Sequence, residues 1–181
     1  MAIDTSGCGM TGRPDGIRLH RVGEEDWRSH RDLRLQMLLD TPDAFWTAYD
    51  DVADRTEADW RQAVRGVAHL QARDAVGTAL GTVGILAEAY AADIPLAEDE
   101  VNLIAMYVVP HARGQGIGRL LLTGATELTR RLGRRRIVLE VTSSNAASIG
   151  LYERLCFGFT GRSTPHPRRA DLAEREMELR A

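Results

Sequence analysis

Val108-Val109-Pro110-His111-Ala112-Arg113-Gly114-Gln115-Gly116-Ile117-Gly118-Arg119-Leu120-Leu121-Leu122 decides how this chain folds. An apolar run ends at Val109, glycines stand at alternate positions 114, 116 and 118, and a helical pattern begins at once. Alternate glycines let successive backbone N–H groups turn toward one point with no Cβ in the way. A helix starting there adds its unpaired first-turn N–H groups and the positive end of its dipole. The combination predicts a site for a phosphate or pyrophosphate.

Working outward, Glu100 to Val109 reads as a long apolar strand buried on both faces. The helix spans Gly116 to Leu132, with Ile117, Leu120, Leu121, Ala125, Leu128 and Leu132 on one stripe, and Gly133 ends it. Arg136 to Val141 is a second buried strand, so strand, helix and strand form a right-handed parallel crossover. Ser143 and Ser144 offer N-caps for a helix ending near Leu155. Phe157 to Thr160 and Arg175 to Leu179 read as a closing antiparallel pair.

Before the central strand, Met1 to Asp15 has no periodicity and is expected to be a flexible tail. A strand at Ile17 to Val22 is followed by a helix that Thr41-Pro42 stops. An acidic linker, Asp43 to Glu57, carries Phe45, Trp46 and Tyr49 and leads to a helix from Glu57 to Val64. Val67 to Arg73 and Thr78 to Glu88 form a hairpin, and Gly81 and Gly84 predict a bulge or a close neighbour in its second strand. Ala89 to Asp99 is a loop. Residues 16–181 are therefore expected to form one α/β domain with a mixed sheet.

A formal charge of −3 over 181 residues gives no electrostatic reason to expect nucleic acid. The arginines at 130, 131, 134, 135 and 136 read as solvated surface, two of them favouring a helix C-terminus. The chain has no lysine, which excludes Schiff-base chemistry and a Walker-type phosphate lysine. Cys8 and Cys156 are too few for a disulfide framework or a cysteine metal site. Neither a leader nor a membrane-spanning run is visible, so a cytoplasmic protein with no membrane partner and no metal is expected.

A dinucleotide fingerprint, Gly-x-Gly-x-x-Gly, fails because Gly114 and Gly116 are followed by Arg119 in the last position, although Glu140 could mimic its ribose-binding acid. Arg113-Gly114-Gln115-Gly116-Ile117-Gly118 instead matches Arg/Gln-x-x-Gly-x-Gly/Ala. That pattern resembles the pyrophosphate signature of the GNAT superfamily of acyl-CoA-dependent N-acyltransferases. Leu103 to Pro110 is similar to the family's fourth strand. Val141, Asn145, Ser148, Leu151-Tyr152-Glu153-Arg154-Leu155-Cys156-Phe157 resemble its fifth strand and following helix. The family more often has Ala at Ser148 and usually Gly at Cys156, and the likeness covers Glu100 to Phe159.

The resemblance implies a central, mostly antiparallel sheet of about seven strands with a splayed parallel pair, flanked by about four helices. It implies acetyl-CoA as cosubstrate, its pantetheine arm between the splayed strands against backbone groups of Met106, Tyr107 and Val108. Gly114, Gln115, Gly116, Ile117 and Gly118 would carry the diphosphate, with Arg113 and Arg119 supplying charge. Asn145 and Tyr152, seven apart and roughly 10 Å along a helix, share a face. Asn145 would hold the arm, or cap the helix, and Tyr152 would protonate the departing thiolate; its alternative is an aromatic core residue. Glu100 stands where some protein-acetylating members carry a glutamate base, though it also continues an acidic run. His111 lies beside the diphosphate loop as a surface residue. Acid-rich segments at Asp40 to Asp59 and Glu88 to Glu100 either favour a cationic acceptor or serve surface solubility, and Phe45, Trp46 and Tyr49 either line its pocket or pin the linker.

The expected reaction is acetyl transfer to a primary amine of a small molecule by direct attack, without a covalent enzyme intermediate. Acetylation of a protein N-terminus or lysine is the alternative within the class, and an acyl-CoA-binding module without turnover the alternative outside it. A homodimer through the C-terminal strands would suit the family.

Overall fold

The computed structural model describes residues 14–88 and 96–181. Most of the expected tail and the first part of the Ala89–Asp99 loop lie outside them. In chain order the elements are β1 (Arg18–Arg21), α1 (Trp27–Asp40), α2 (Glu57–Gly66), β2 (Ala68–Arg73), β3 (Ala79–Leu86), β4 (Glu100–Val108), α3 (Ile117–Arg131), β5 (Arg136–Thr142), α4 (Ala146–Arg154), β6 (Gly158–His166) and β7 (Arg169–Arg180). The strands form one mixed sheet in the order β1-β2-β3-β4-β5-β7-β6. β4 and β5 are its parallel pair; the other neighbours are antiparallel.

Side-chain alternation decides the layers. Ile137, Leu139 and Val141 of β5 point under α3, which buries Ile117, Leu121, Leu122 and Ala125 against the sheet. Leu132, expected on that stripe, is 44% exposed because the helix has already ended. Gly133 takes a left-handed φ of 73°, and Gly133 N and Arg134 N close the end on Arg130 O and Thr129 O. Two corrections concern the second half. The N-cap of α4 is Asn145, not Ser143 or Ser144; its side chain accepts from Ser148 N at 3.2 Å. The closing hairpin is also longer than Phe157–Thr160 and Arg175–Leu179, because β6 is an edge strand, where Pro165 is tolerated and a mostly exposed face needs no apolar alternation.

On the opposite face α1 and α2 bury Trp27, Leu33, Met37, Leu38 and Trp60, and with them two histidines. His30 of α1 and His69 of β2 stack with ring centroids 4.4 Å apart, and His69 Nδ1 has no hydrogen-bond partner. Burial, then the charge of Arg34, lowers the His30 pKa to about 4; burial, then His30, lowers that of His69 well below its usual value. Both rings are therefore neutral in the fold and titrate in the unfolded chain. The unfolded state binds more protons between pH 6.5 and 4, so stability falls as pH drops through that window. His30 alone is expected to cost about 2 kcal/mol between pH 8 and pH 5. Urea midpoints that stay level across that range, or fall equally in a His30→Phe variant, would contradict neutral burial.

Candidate active site

The parallel ladder is short. Glu100, Val101 and Asn102 pair with Arg136, Ile137 and Val138, after which the two strands part. Main-chain groups of β4 beyond Asn102 that would meet β5 consequently face a cleft. On its other edge β4 slips register against β3: Ile104 opposes Gly84 and Tyr107 opposes Thr82, so Ala105 and Met106 share one partner position. Ala105 adopts φ 53°, a left-handed value rare outside glycine, and marks a bulge. Gly81 permits this approach, since a Cβ there would stand 2.7 Å from Tyr107 O. The glycines of β3 thus signalled both a bulge and a close neighbour.

After β4 comes a 3₁₀ turn at Pro110–Ala112, then the glycine loop. Gly114 and Gly116 take φ 75° and 80°. Space beyond Gly114 is open, and the nearest atom to a Cβ on Gly116 is a guanidinium nitrogen of Arg119 at 3.8 Å. Gly116 is the N-cap of α3 and no side chain caps the helix. First-turn N–H groups and a helix dipole opening onto a side-chain-free concavity suit a diphosphate. Gln115 Nε2 donates to His111 O at 3.1 Å and steadies the loop, while His111 itself is exposed.

Arg113 braces the foot of that loop. Its Nε donates to Val108 O at 2.9 Å and its guanidinium pairs with Asp40, the last residue of α1. Beneath it, the Tyr107 hydroxyl is buried beside Asp40 and Arg113, and burial, then Asp40, pushes its pKa up to about 12. Arg119, by contrast, leans over Gly116.

Tyr152 of α4 is buried, its ring 5.6 Å from that of Phe157, and burial raises its hydroxyl pKa above the usual value, so it carries its proton throughout the neutral range. Gly118 joins this helix to the loop: a Cβ there would meet Leu151 Cδ2 at 2.8 Å and Met106 Cε at 3.4 Å. The bulge, the start of α3 and the tyrosine-bearing helix therefore converge on one glycine. Cys156 adopts φ 66°, and Leu155 N and Phe157 N both reach Tyr152 O at 3.0 Å, so the helix ends normally without the glycine usual there.

Glu100 does not join this group. It opens β4, is buried, and pairs with Arg136, whose Nε also donates to Glu178 at 2.6 Å. Five steps along the strand separate it from Ala105, about 16 Å. Phe45 and Tyr49 pack against the core, whereas Trp46 is 40% exposed. Arg168, in the turn between β6 and β7, donates to Pro42 O and Phe45 O, and Arg169 pairs with Asp43 at 2.6 Å, fastening that turn to the linker after α1. Sequence reasoning did not single out Thr142, His166, Glu174 and Glu176. The alternation Glu174-Arg175-Glu176-Met177-Glu178 was the one signal for the two glutamates. Among the described residues no group of three or more His, Cys, Asp or Glu could hold a metal ion, and no helix is long and apolar enough to cross a membrane.

This chain belongs to the GNAT acetyltransferases: residues 23–159 match the description "Acetyltransferase (GNAT) family". It is 36% identical over 83 residues to streptothricin acetyltransferase of Streptomyces lavendulae, covering 46% of this chain and 44% of that protein. Identity to mycothiol acetyltransferase of Thermobispora bispora is 30% over 156 residues, covering 81% and 48%. Against the [ribosomal protein bS18]-alanine N-acetyltransferase of Escherichia coli K12 it is 42% over 59 residues, covering 33% and 40%. The chain spans about half the length of the curated relatives it matches. Among solved structures, a GCN5-related N-acetyltransferase from Kribbella flavida superposes with a TM-score of 0.71 at 21% identity, covering 93% of this chain and 100% of that one. A Salmonella typhimurium protein solved with its cofactor acetyl-CoA gives 0.72 at 24% identity, covering 91% and 93%. These likenesses show the same fold.

Proposed function

We propose that the protein transfers an acetyl group from acetyl-CoA to a primary amine of a small molecule by direct attack. The observation that carries this reading is the three-pair ladder that ends at Asn102, after which β4 passes the Ala105 bulge and leads through a 3₁₀ turn to the glycine loop. When bound, acetyl-CoA supplies a thioester open to amine attack and a thiolate leaving group. The N–H groups of Gly114 to Gly118 hold the diphosphate, with Arg119 adding charge over Gly116 and Arg113 fixing the loop's foot. Backbone groups of Met106 to Val108 and the Asn145 amide hold the pantetheine arm. Tyr152 Oη keeps its proton until a thiolate needs it. The ammonium proton leaves to water, since Glu100 is paired with Arg136 about 16 Å along β4 from the bulge. Arg168 and Arg169 fix the β6–β7 turn to the linker after α1, and a fixed turn favours a small amine over a protein terminus.

Thermal stabilisation tests the donor, and free-thiol release tests the acceptor. Saturation at about 100 times the dissociation constant adds about 2.7 kcal/mol, so acetyl-CoA and CoA should raise the melting temperature by several degrees, and NAD or ATP should not. Small primary amines should release thiol. Release with peptides alone would overturn the acceptor class and leave the donor standing; stabilisation by NAD alone would overturn both.

A further inference from the structure

Gly84 of β3 stands directly opposite His69 of β2 on one side and Ile104 of β4 on the other. Directly opposed residues share a face, and His69 stacks on His30 of α1, so all three look toward α1 and α2. A Cβ on Gly84 would stand 2.9 Å from Ile104 Cγ1 and 3.1 Å from both Cε1 and Nδ1 of His69. Opposed Cβ atoms in a sheet are about 4.5–5.5 Å apart, so the Ile104 side chain leans across the vacant place on Gly84, away from β5. His69 backs that place. Its ring is buried and lies 4.4 Å from that of His30, which in turn meets Trp60 edge-on at 6.0 Å.

On its other side Ile104 borders the cleft. The ladder with β5 ends at Asn102, so Ile104 is the first residue on this face of β4 without a β5 partner. Burial agrees: Leu103 and Tyr107 are buried, whereas Ile104, Ala105 and Met106 are half-buried. On the opposite face Met106 Cε and Leu151 Cδ2 close in on Gly118, which sets α3 and α4 there and leaves the α1 side for an acceptor.

We propose that Ile104 is a wall of the acceptor pocket beside the bulge, and that Gly84, backed by His69, keeps this wall drawn back and so sets how much bulk is admitted next to the reacting amine. This names specificity-determining residues for the acetyl transfer proposed above and rests on it. A methyl group at Gly84 forces a neighbour to move. His69 is held from behind by His30, while Ile104 has the cleft beside it, so Ile104 turns about χ1 into the cleft. Ile104 meets the acceptor; Gly84 is a positioning residue that acts through it.

The test is the ratio of kcat/KM for cyclohexylamine to that for n-hexylamine, by thiol release, in the wild type, Gly84→Ala, Ile104→Ala and the double variant. A single methylene in a pocket changes such discrimination by about 10–200-fold. Gly84→Ala should therefore lower the ratio by about tenfold or more, chiefly through the KM for cyclohexylamine, and Ile104→Ala should raise it. The double variant lacks the atom that the new methyl displaces, so its ratio should return to the wild-type value or above. An unchanged ratio in Ile104→Ala overturns the proposal whether or not Gly84→Ala folds. A Gly84→Ala protein that loses both amines equally, or that Ile104→Ala does not rescue, makes Gly84 a packing residue and also overturns it. Thermal stabilisation by acetyl-CoA, measured in parallel, separates the two readings. With stabilisation and turnover, a flat ratio removes only the pocket wall. A wild type that releases thiol with neither amine overturns the pocket, and if acetyl-CoA also fails to stabilise it, the acetyl transfer itself fails.

Discussion

Tyr152→Phe is expected to lower kcat by about 10²–10⁴-fold while fold and acetyl-CoA affinity largely survive. The ring stays packed against Phe157, and only one oxygen is removed. Burial raises the pKa of that hydroxyl, so the wild type holds its proton through every pH used for an amine acetyltransferase. Under the proposed function the hydroxyl matters when the thiolate leaves, hence the loss should fall on kcat rather than on donor binding. Water can also protonate the departing thiolate, and above its pKa of about 8.5 the thiolate needs no proton, so the effect should be largest below that pH and shrink as pH rises past it. Single-turnover rates from pH 6 to 9 decide the matter. Equal rates for both proteins across that range would reduce Tyr152 to a packing residue.

Gly116→Asp should weaken acetyl-CoA binding by at least about 100-fold, near 3 kcal/mol. Gly116 is left-handed at φ 80°, a conformation aspartate tolerates better than most residues, so the fold should bear the change at about 1 kcal/mol. Its carboxylate would stand where a diphosphate is to sit, and the Arg119 guanidinium beside it would pair with the new acid instead. Two favourable charge terms vanish together. Gly116→Asn supplies the same shape without charge and should lose no more than about tenfold. Calorimetry on the three proteins separates shape from charge; wild-type affinity in a folded Gly116→Asp would remove the loop from the donor site.

Where information was local, the sequence was legible. The strand, loop, helix and strand from Glu100 to Thr142 announce themselves by alternation, glycine spacing and a terminating Gly133. The pair Asn145 and Tyr152 was found through the family motif, and their shared helix face needed only a count of seven. What escaped depended on partners distant in sequence. Nothing in Ile104-Ala105-Met106 predicts a φ of 53° at Ala105; that bend comes from the register of β3. The partner of Glu100 is Arg136, supplied by the parallel ladder, so a free acid in the sequence is half of an ion pair in the fold. Glu140 stands opposite Glu176 across a ladder that only the long β6–β7 hairpin creates, and that hairpin was under-read because its edge strand lacks an apolar rhythm.

The short parallel ladder also has a consequence for solubility. Sheet borders are where strangers' strands attach, and most proteins keep them at the rim and blunt them there. This molecule carries two extra borders in its interior, the far halves of β4 and β5, facing each other across a gap neither can bridge. A ligand with an extended, amide-bearing arm fits such a gap as an additional strand would, by main-chain pairing on both sides. Under the proposed function the donor is then both reactant and removable sheet strand, and each turnover takes that strand away and puts it back.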